Sequence, residues 1–282
     1  MFRKRFSIFI ASMLFSFSVV HAFMNSDSSL GLFANAKEVF RPLVADPREI
    51  QLAMRLVMPV SRECLGEIAA GDYLGLYRWK LPWEQETYLQ WSIAGGIFSR
   101  FDLAADTKDL QVVDYYATMP VDVRMGRWSM RLLPYHVSSH LGDDYIKRTG
   151  VLAEKNAIDA WKWLLAYEPC EHWRFYGGPD YIIRLVHASQ EHVAVQAGLE
   201  WRSNWWAAGH AQTFWANDLQ SWERVGWNPT FNSQFGVKIV HDSLDQYGLS
   251  IFSEFGTGHR PHGQFYRQQE THWNLGMRLE IP

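Results

Sequence analysis

An alternation of apolar and polar residues is the feature that most constrains how this chain folds. Residues 193–201 place one set of apolar side chains at every second position, and residues 273–281 repeat the pattern. Successive side chains of a β-strand point to opposite faces, so such segments are typical of strands with two unlike faces. Helical periodicity is scarce, and the pattern therefore predicts an all-β fold.

The number of such segments and the lengths of their connections narrow the fold further. Candidate strands also lie near residues 49–58, 71–80, 88–103, 113–123, 127–140, 157–167, 173–184, 205–217, 230–240 and 247–257. Together they make about twelve strands, joined alternately by short turns and by longer connections, as in outer-membrane barrels. The sequence predicts an antiparallel transmembrane β-barrel of about twelve strands over residues 49–282.

The N-terminus has the pattern of an export signal. Basic residues at positions 3–5 precede an apolar run over residues 6–20. The small residues Val20 and Ala22, at the end of this run, offer a cleavage site before Phe23. This order is typical of a secretory signal peptide, predicted here for residues 1–22, with an uncleaved membrane anchor as the alternative. Residues 23–48 precede the first predicted strand, and their stretch 41–47 is too rich in proline for a strand, so they are interpreted as a periplasmic lead-in segment. The predicted location is the bacterial outer membrane.

Composition excludes several other classes of protein. Aromatic residues make up 15% of the chain and charged residues 20%, which excludes a disordered chain. The net charge of −3 gives no electrostatic reason to bind nucleic acid. Aromatic residues cluster near strand ends, as in the girdles of membrane barrels, although a soluble periplasmic β-sandwich would place them in its core.

The sequence predicts neither a disulfide nor a metal site. Cys64 falls in the first outer loop and Cys170 in a periplasmic turn, so a disulfide would have to cross the barrel. We therefore predict no disulfide. No spacing of cysteine and histidine resembles a zinc site, and we expect neither a metal nor a cofactor.

One polar stretch, residues 135–144, ends the fifth predicted strand. Strand parity places His136 and Ser138 on the same outward face, because the lower part of that row is apolar. A serine becomes a nucleophile when a base lies beside it, and an acid orients the base. His136 is the candidate base for Ser138, with Asp143 or Asp144 as the orienting acid. The alternative is a polar network where the strand leaves the bilayer.

This His-x-Ser pattern on a barrel strand resembles two families of outer-membrane enzymes. They are outer-membrane phospholipase A and the lipid A 3-O-deacylase, in which the histidine and serine lie on the outer surface. The resemblance implies an acyl-ester hydrolase that acts on outer-leaflet phospholipid or lipid A.

Further polar residues fall around the outer rim and along the predicted lumen. The rim residues are a candidate site for lipopolysaccharide phosphates or a divalent ion, or simply a solvated loop: His140, His259, Arg260, His262 and Arg267. The luminal candidates either line a pore or form ion pairs that plug it: Glu67, Asp102, Asp114, Asp122, Arg124, Lys162, Arg174, Glu200 and Lys238.

Three segments resemble the bacterial domain of unknown function 1207 family. They are residues 40–49, 119–128 and, the most specific, 135–144, and the resemblance spans most of the mature chain. It implies an exported outer-membrane β-barrel without an established activity. It also implies that residues 157–167 form a strand, although residues 151–166 fit an amphipathic helix as well.

The function expected from sequence is an outer-membrane barrel that acts as a narrow pore or a surface structural protein. The alternatives are the acyl-ester hydrolase and the soluble periplasmic binding protein. The expected partners are outer-membrane lipids and the barrel-insertion machinery, and the sequence leaves the oligomeric state open.

Overall fold

The computed structural model describes residues 29–32, 37–60, 64–83, 85–185, 191–240 and 247–281. The predicted signal peptide, residues 1–22, lies outside the described residues. The strands are β1 (Ser29–Leu32), β2 (Leu52–Pro59), β3 (Leu65–Leu81), β4 (Thr87–Asp102), β5 (Leu110–Thr118), β6 (Val121–Met125), β7 (Trp128–Leu141), β8 (Asn156–Cys170), β9 (Trp173–Leu185), β10 (Val193–Arg202), β11 (Ala211–Trp222), β12 (Pro229–Val240), β13 (Gly248–His259) and β14 (Gln269–Glu280).

Helices are few and short in the described part of the chain. One α-helix, α1, spans Asp143–Thr149, and single 3-10 turns span Glu223–Val225 and Gly263–Phe265. No helix within the described ranges is long and apolar enough to cross a membrane.

The strands close into an antiparallel barrel, which confirms the predicted fold class. Each strand from β7 to β14 pairs with the next, and β14 pairs with β2, so the sheet has no open seam. Strands β5 and β6 both pair with β4 and β7, so together they count as one interrupted strand. The barrel therefore has twelve strands. The short strand β1 pairs with the end of β3 and stands outside this count.

The interruption between β5 and β6 has a chemical cause. The alternation over residues 113–123 predicts one continuous strand, but the ladder breaks at Met119 and Pro120. Proline has no N–H to donate to a neighbouring strand. The carbonyl of Pro120 still accepts a hydrogen bond of 3.1 Å from the amide of Ser92 on β4. Strands β5 and β6 therefore remain aligned along β4.

The segment with ambiguous periodicity is a strand. Residues 156–170 form β8, paired along β7 and β9, and the alternative of a helix over residues 151–166 is wrong. Alternate residues from Ile158 to Ala166 are buried, whereas Trp163 and Leu165 are exposed on the other face. The apolar residues on both faces of this strand imitate a helical stripe, because lipid requires apolar side chains outside while the inner face here is also partly apolar.

Much of the outer face of the barrel is apolar. Exposed apolar side chains recur at every second position on most strands, which fits contact with lipid. They include Met54, Leu56, Leu74, Ile93, Met130, Leu165, Val195, Leu219, Ile251, Leu275 and Met277.

The inside of the barrel is filled by polar side chains and by residues 37–51, here called the luminal segment. Phe40 and Leu43 of this segment are 0% and 1% exposed. The guanidinium groups of Arg131 and Arg174 lie 4.5 and 4.7 Å from the centre of the Phe40 ring. Part of the predicted lead-in segment therefore lies within the barrel and packs against its inner wall.

Many charges inside the barrel are paired. Arg131 binds both oxygens of Asp122 at 2.8 Å, and Arg100 bridges Glu67 and Glu270 at 2.7 Å each. Arg48 of the luminal segment reaches Asp114 on β5 at 2.8 Å. These contacts favour the interpretation that the predicted luminal charges form ion pairs that fill the barrel.

The two ends of the barrel differ in the length of their connections. The β6–β7 and β8–β9 turns lie at the end where β2 begins and β14 ends, and α1 lies in a longer connection at the opposite end. In outer-membrane barrels, short turns face the periplasm and long loops face outward. We use this rule to call the two ends periplasmic and outer.

Candidate functional site

Strand β7 presents a row of polar side chains toward the outside of the barrel at its outer end. His136 and Ser138 are partly exposed and His140 is exposed, whereas the intervening Val137 and Ser139 are buried. The alternation continues the row that begins with the exposed Trp128 and Met130. The parity expected for His136 and Ser138 therefore agrees with the structure.

The position of Ser138 along β7 sets its depth in the bilayer. It follows Trp128, the first residue of β7, by ten residues. At about 3.3 Å per residue and a strand tilt near 40°, that distance is about 25 Å along the barrel axis. The apolar band of outer-membrane barrels has about this height. With Trp128 taken as the inner edge of such a band, Ser138 falls at its outer edge, the level where acyl chains meet headgroups.

Ser138 contacts His140 directly. The Ser138 hydroxyl oxygen lies 2.8 Å from Nε2 of His140, which is hydrogen-bonding distance. The ring of Tyr115, on the neighbouring strand β5, packs edge-on against the His140 ring with 5.9 Å between centres. A hydroxyl and an imidazole in this contact have the geometry of a nucleophile and its base.

His136 belongs to a second contact on the same face. Its Nδ1 lies 2.6 Å from one oxygen of Asp159 on β8, and Nε of Arg184 on β9 lies 2.6 Å from the other oxygen. The three strands are adjacent in the barrel. One carboxylate thus holds an imidazole and a guanidinium beside Ser138.

The two predicted orienting acids lie on α1. Asp143 and Asp144 occupy its first turn, and Asp144 pairs with Lys147 at 3.1 Å. Within the described ranges, neither forms a hydrogen bond or ion pair with His136, Ser138 or His140. The acid that contacts a histidine of the β7 row is Asp159.

Arg148 anchors α1 to the barrel rim. It donates to Asp109 at 2.6 Å and to Asp102 at 2.7 Å. The hydrogen bonds from Thr107 and Arg148 lower the pKa of the Asp109 carboxyl. The helix is thereby held beside the outer end of β4 and β5.

The predicted rim residues do not form one cluster. Arg260 and His262 are buried, and Arg260 binds Glu270 at 2.6 Å. His259 contacts the carbonyl of Tyr266 at 2.9 Å, and Arg267 donates to the Tyr266 hydroxyl at 2.8 Å. His140 contacts Ser138 on β7 instead.

His262 is enclosed by the outer loop between β13 and β14. Burial lowers the pKa of its imidazole from 6.5 to about 4, although Glu67 and Asp114 oppose the shift. Its Nδ1 has no hydrogen-bond partner, and the side chain is 3% exposed. His262 is therefore neutral at pH 7 and contributes to the closed outer end of the lumen.

Two contact residues were missed by the sequence reasoning, Asp159 and Arg184. Strand pairing carries the signal that would have found them: Asp159 pairs with His136 across β7 and β8, and Arg184 pairs with Asp159 across β8 and β9. Residues directly opposite each other on one face have Cβ atoms about 5 Å apart. Finding them required treating residues 156–170 as a strand and aligning its register.

Cys64 precedes β3 at the outer end, and Cys170 ends β8 at the periplasmic end; both are exposed and free. A group of three histidine, cysteine or acidic residues suited to hold a metal is absent from the described part of the chain.

The closed antiparallel barrel has the fold of bacterial outer-membrane β-barrels. The chain belongs to the family described as Protein of unknown function (DUF1207), whose model matches residues 24–280, which confirms the resemblance. A search of curated proteins found no match.

Solved structures of similar fold are outer-membrane barrels. The chain is 10% identical to the Salmonella typhi outer membrane phospholipase (OMPLA) dimer with bound calcium, with a TM-score of 0.51, covering 88% of this chain and 94% of that one. It is 9% identical to outer membrane phospholipase A from Escherichia coli, with a TM-score of 0.51 and coverage of 85% and 94%. At this identity the likeness establishes the fold alone.

Proposed function

We propose that this protein is an outer-membrane hydrolase that cleaves acyl esters of outer-leaflet lipids. The observation that carries the proposal is the 2.8 Å contact between the Ser138 hydroxyl and His140 Nε2 on the outward face. The contact lies at the outer edge of the apolar band, where the ester linkages of membrane lipids are found. The two similar phospholipase barrels supply the fold, and the substrate class rests on the position of Ser138.

The chemistry follows the usual order for a serine nucleophile. His140 Nε2 accepts the hydroxyl proton as Ser138 Oγ attacks the ester carbonyl carbon, forming a tetrahedral intermediate. The C–O bond to the leaving alcohol then breaks, and His140 returns the proton to that alcohol. Water, deprotonated by the same imidazole, then attacks the acyl-serine; the acyl C–Oγ bond breaks, the fatty acid leaves, and His140 returns the proton to Ser138 Oγ.

His136 and Arg184 bind the charged parts of the substrate in this proposal. Both are held by Asp159 beside Ser138, and both are partly exposed on the lipid side. A guanidinium is well suited to bind a phosphate, and an imidazole N–H can donate to a developing oxyanion. The earlier assignment of His136 as the base for Ser138 is the alternative that the experiments below distinguish.

The filled lumen favours a surface activity over a conducting pore. Three cavities lined by the described residues have volumes of about 310, 70 and 20 Å³. A pore requires a continuous aqueous path. Residues of the luminal segment and paired charges occupy the space between these cavities. Export through the N-terminal signal and assembly by the barrel-insertion machinery belong to the same proposal.

The test is fatty-acid release from phospholipid vesicles and from lipopolysaccharide by the reconstituted protein. We expect release by the wild type and none above background by Ser138→Ala. The matched control is Ser253→Ala, because Ser253 is a partly exposed residue on the outward face of β13. Equal release by wild type and Ser138→Ala would contradict the proposal, and an inactive wild type that conducts ions would favour the pore.

A further inference from the structure

A cavity among the described residues lies at the periplasmic end of the barrel, far from Ser138. Its volume is about 310 Å³, at the lower end of the range for small-molecule sites. It lies between the luminal segment and the periplasmic ends of β10, β11, β12 and β14.

One wall of this cavity is apolar. Leu43 and Ile50 come from the luminal segment, and Phe214 and Ala216 from β11. All four are at most 6% exposed. The wall offers an apolar body, such as an alkyl chain, a surface shielded from water.

The opposite wall carries unused hydrogen-bond donors. Gln51 is 8% exposed, and its Nε2 has no hydrogen-bond partner, although its carbonyl accepts from Arg278 at 3.3 Å. Within the described residues, the guanidinium of Arg202 forms no hydrogen bond or ion pair. A buried donor without a partner, such as Gln51 Nε2, is rare and costly. The half-buried guanidinium of Arg202 lines the same cavity, so the two groups together point to an acceptor that binds there.

The charges around the cavity specify the sign of that acceptor. Its three acids are already held: Asp72 by Lys37 at 2.5 Å, Glu280 by Lys238, and Glu200 by Arg174 at 3.3 Å. Arg202 and Arg278 remain as cations that no acid of the cavity fully neutralises, since Arg278 lies 3.8 Å from Glu280. An anionic group would therefore be bound more favourably than a neutral or cationic one.

From these observations we infer that the periplasmic cavity is a binding site for a single-chain anionic amphiphile, a medium-chain carboxylate. The alkyl chain packs on Leu43, Ile50 and Phe214, and the carboxylate accepts hydrogen bonds from Arg202 and Gln51 Nε2. This site is independent of the proposed hydrolase, because none of its residues contacts Ser138 or His140.

The experiment is photolabelling of the purified barrel in lipid nanodiscs with decanoic acid that carries a terminal diazirine. We expect saturable labelling of peptides that contain Leu43 or Phe214. Decanoate should compete with the probe, whereas decanol and decyltrimethylammonium should not. Labelled peptides are identified by mass spectrometry, which separates the cavity from the lipid-facing surface.

Two variants and one control decide the outcome. Arg202→Gln and Gln51→Leu should each weaken competition by decanoate about tenfold, the effect of losing one hydrogen bond to a charged group. Arg127→Gln is the matched control, since Arg127 is an exposed arginine in a periplasmic turn. Folding of each variant is checked by heat-modifiable migration on gels. Labelling confined to lipid-facing residues, or decanol competing as well as decanoate, would overturn the inference.

Discussion

Ser138 Oγ lies 2.8 Å from Nε2 of His140, the residue two positions later on the same outward face of β7. The histidine two positions earlier, His136, is turned to Asp159 on the neighbouring strand. A strand places residues i and i+2 about 7 Å apart, so one serine can be reached from either side. The structure therefore separates two histidines that are equivalent in the sequence pattern.

The roles of these histidines can be separated by kinetics. His140→Asn should lower kcat at least a hundredfold, because general-base catalysis contributes about 10²- to 10⁴-fold. His136→Asn should retain more activity and mainly raise KM, since it acts on the bound substrate. The measurement is initial fatty-acid release at several lipid concentrations. A larger loss of kcat in His136→Asn would return the role of base to His136.

Because the lumen is filled, we expect the barrel not to conduct ions. In planar bilayers the wild type should give no steady conductance steps, because the luminal segment and the ion pairs leave no continuous path. Replacing both Phe40 and Leu43 by alanine should produce openings by loosening this packing. A porin run in parallel serves as the positive control. Stable steps from the wild type would contradict a closed lumen.

The ion pair between Arg131 and Asp122 should dominate the local stability of the barrel. Arg131→Met leaves the Asp122 carboxylate, which is 0% exposed, without its bidentate partner. The expected loss is about 3–5 kcal/mol in free energy of unfolding, and the double variant with Asp122→Leu should recover much of it.

This is measured by urea unfolding in vesicles, followed by tryptophan fluorescence. Arg127→Met, at an exposed turn, is the matched control and should change stability by less than about 0.5 kcal/mol. If the double variant is no more stable than Arg131→Met alone, the loss does not come from the unpaired carboxylate.

Because His262 is buried and neutral, we expect the stability of the outer loop between β13 and β14 to fall at acidic pH. Its pKa falls from 6.5 to about 4 in the folded protein, so the unfolded loop binds more protons between these values. Stability of the loop is therefore complete above pH 6.5 and is lost as the pH falls toward 4, by about 3 kcal/mol in total. Hydrogen exchange of residues 259–268 measures it.

The same exchange experiment on His262→Gln provides the control. The variant has no group that titrates at this position, so the pH dependence between 6.5 and 4 should be largely absent. A wild-type loop whose protection is unchanged over this range would contradict the burial of a neutral His262.

Much of the barrel could be predicted because its determinants are local. The alternation in residues 193–201 and 273–281 indicates strands directly. The alternation of short and long connections indicates an up-and-down barrel with two unlike ends. The break at Pro120 and the strand at residues 156–170 were harder. At Pro120 the cause is local, because proline has no N–H to donate, but the alternation of residues 113–123 continues across it and conceals the break. At residues 156–170 the pairing with β7 and β9 decides the outcome, and periodicity within the segment does not contain it.

The candidate site was predictable only in part for the same reason. Sequence parity was enough to place His136 and Ser138 on one face. The partners Asp159 and Arg184 depend on the register between three strands, and the contact of Ser138 with His140 depends on rotamers. The insertion of residues 37–51 into the lumen is a long-range event, and no local pattern in that segment specifies it.

The most direct test of the central claim is covalent labelling of Ser138. An activated serine reacts with a fluorophosphonate at its oxygen, whereas an ordinary serine does not. The purified barrel in outer-membrane lipid should incorporate one fluorophosphonate, located on Ser138 by mass spectrometry, and His140→Asn should lose the reaction while Ser253→Ala keeps it. Absence of label on Ser138 in a barrel that is folded by heat-modifiable migration would contradict the assignment of an active serine.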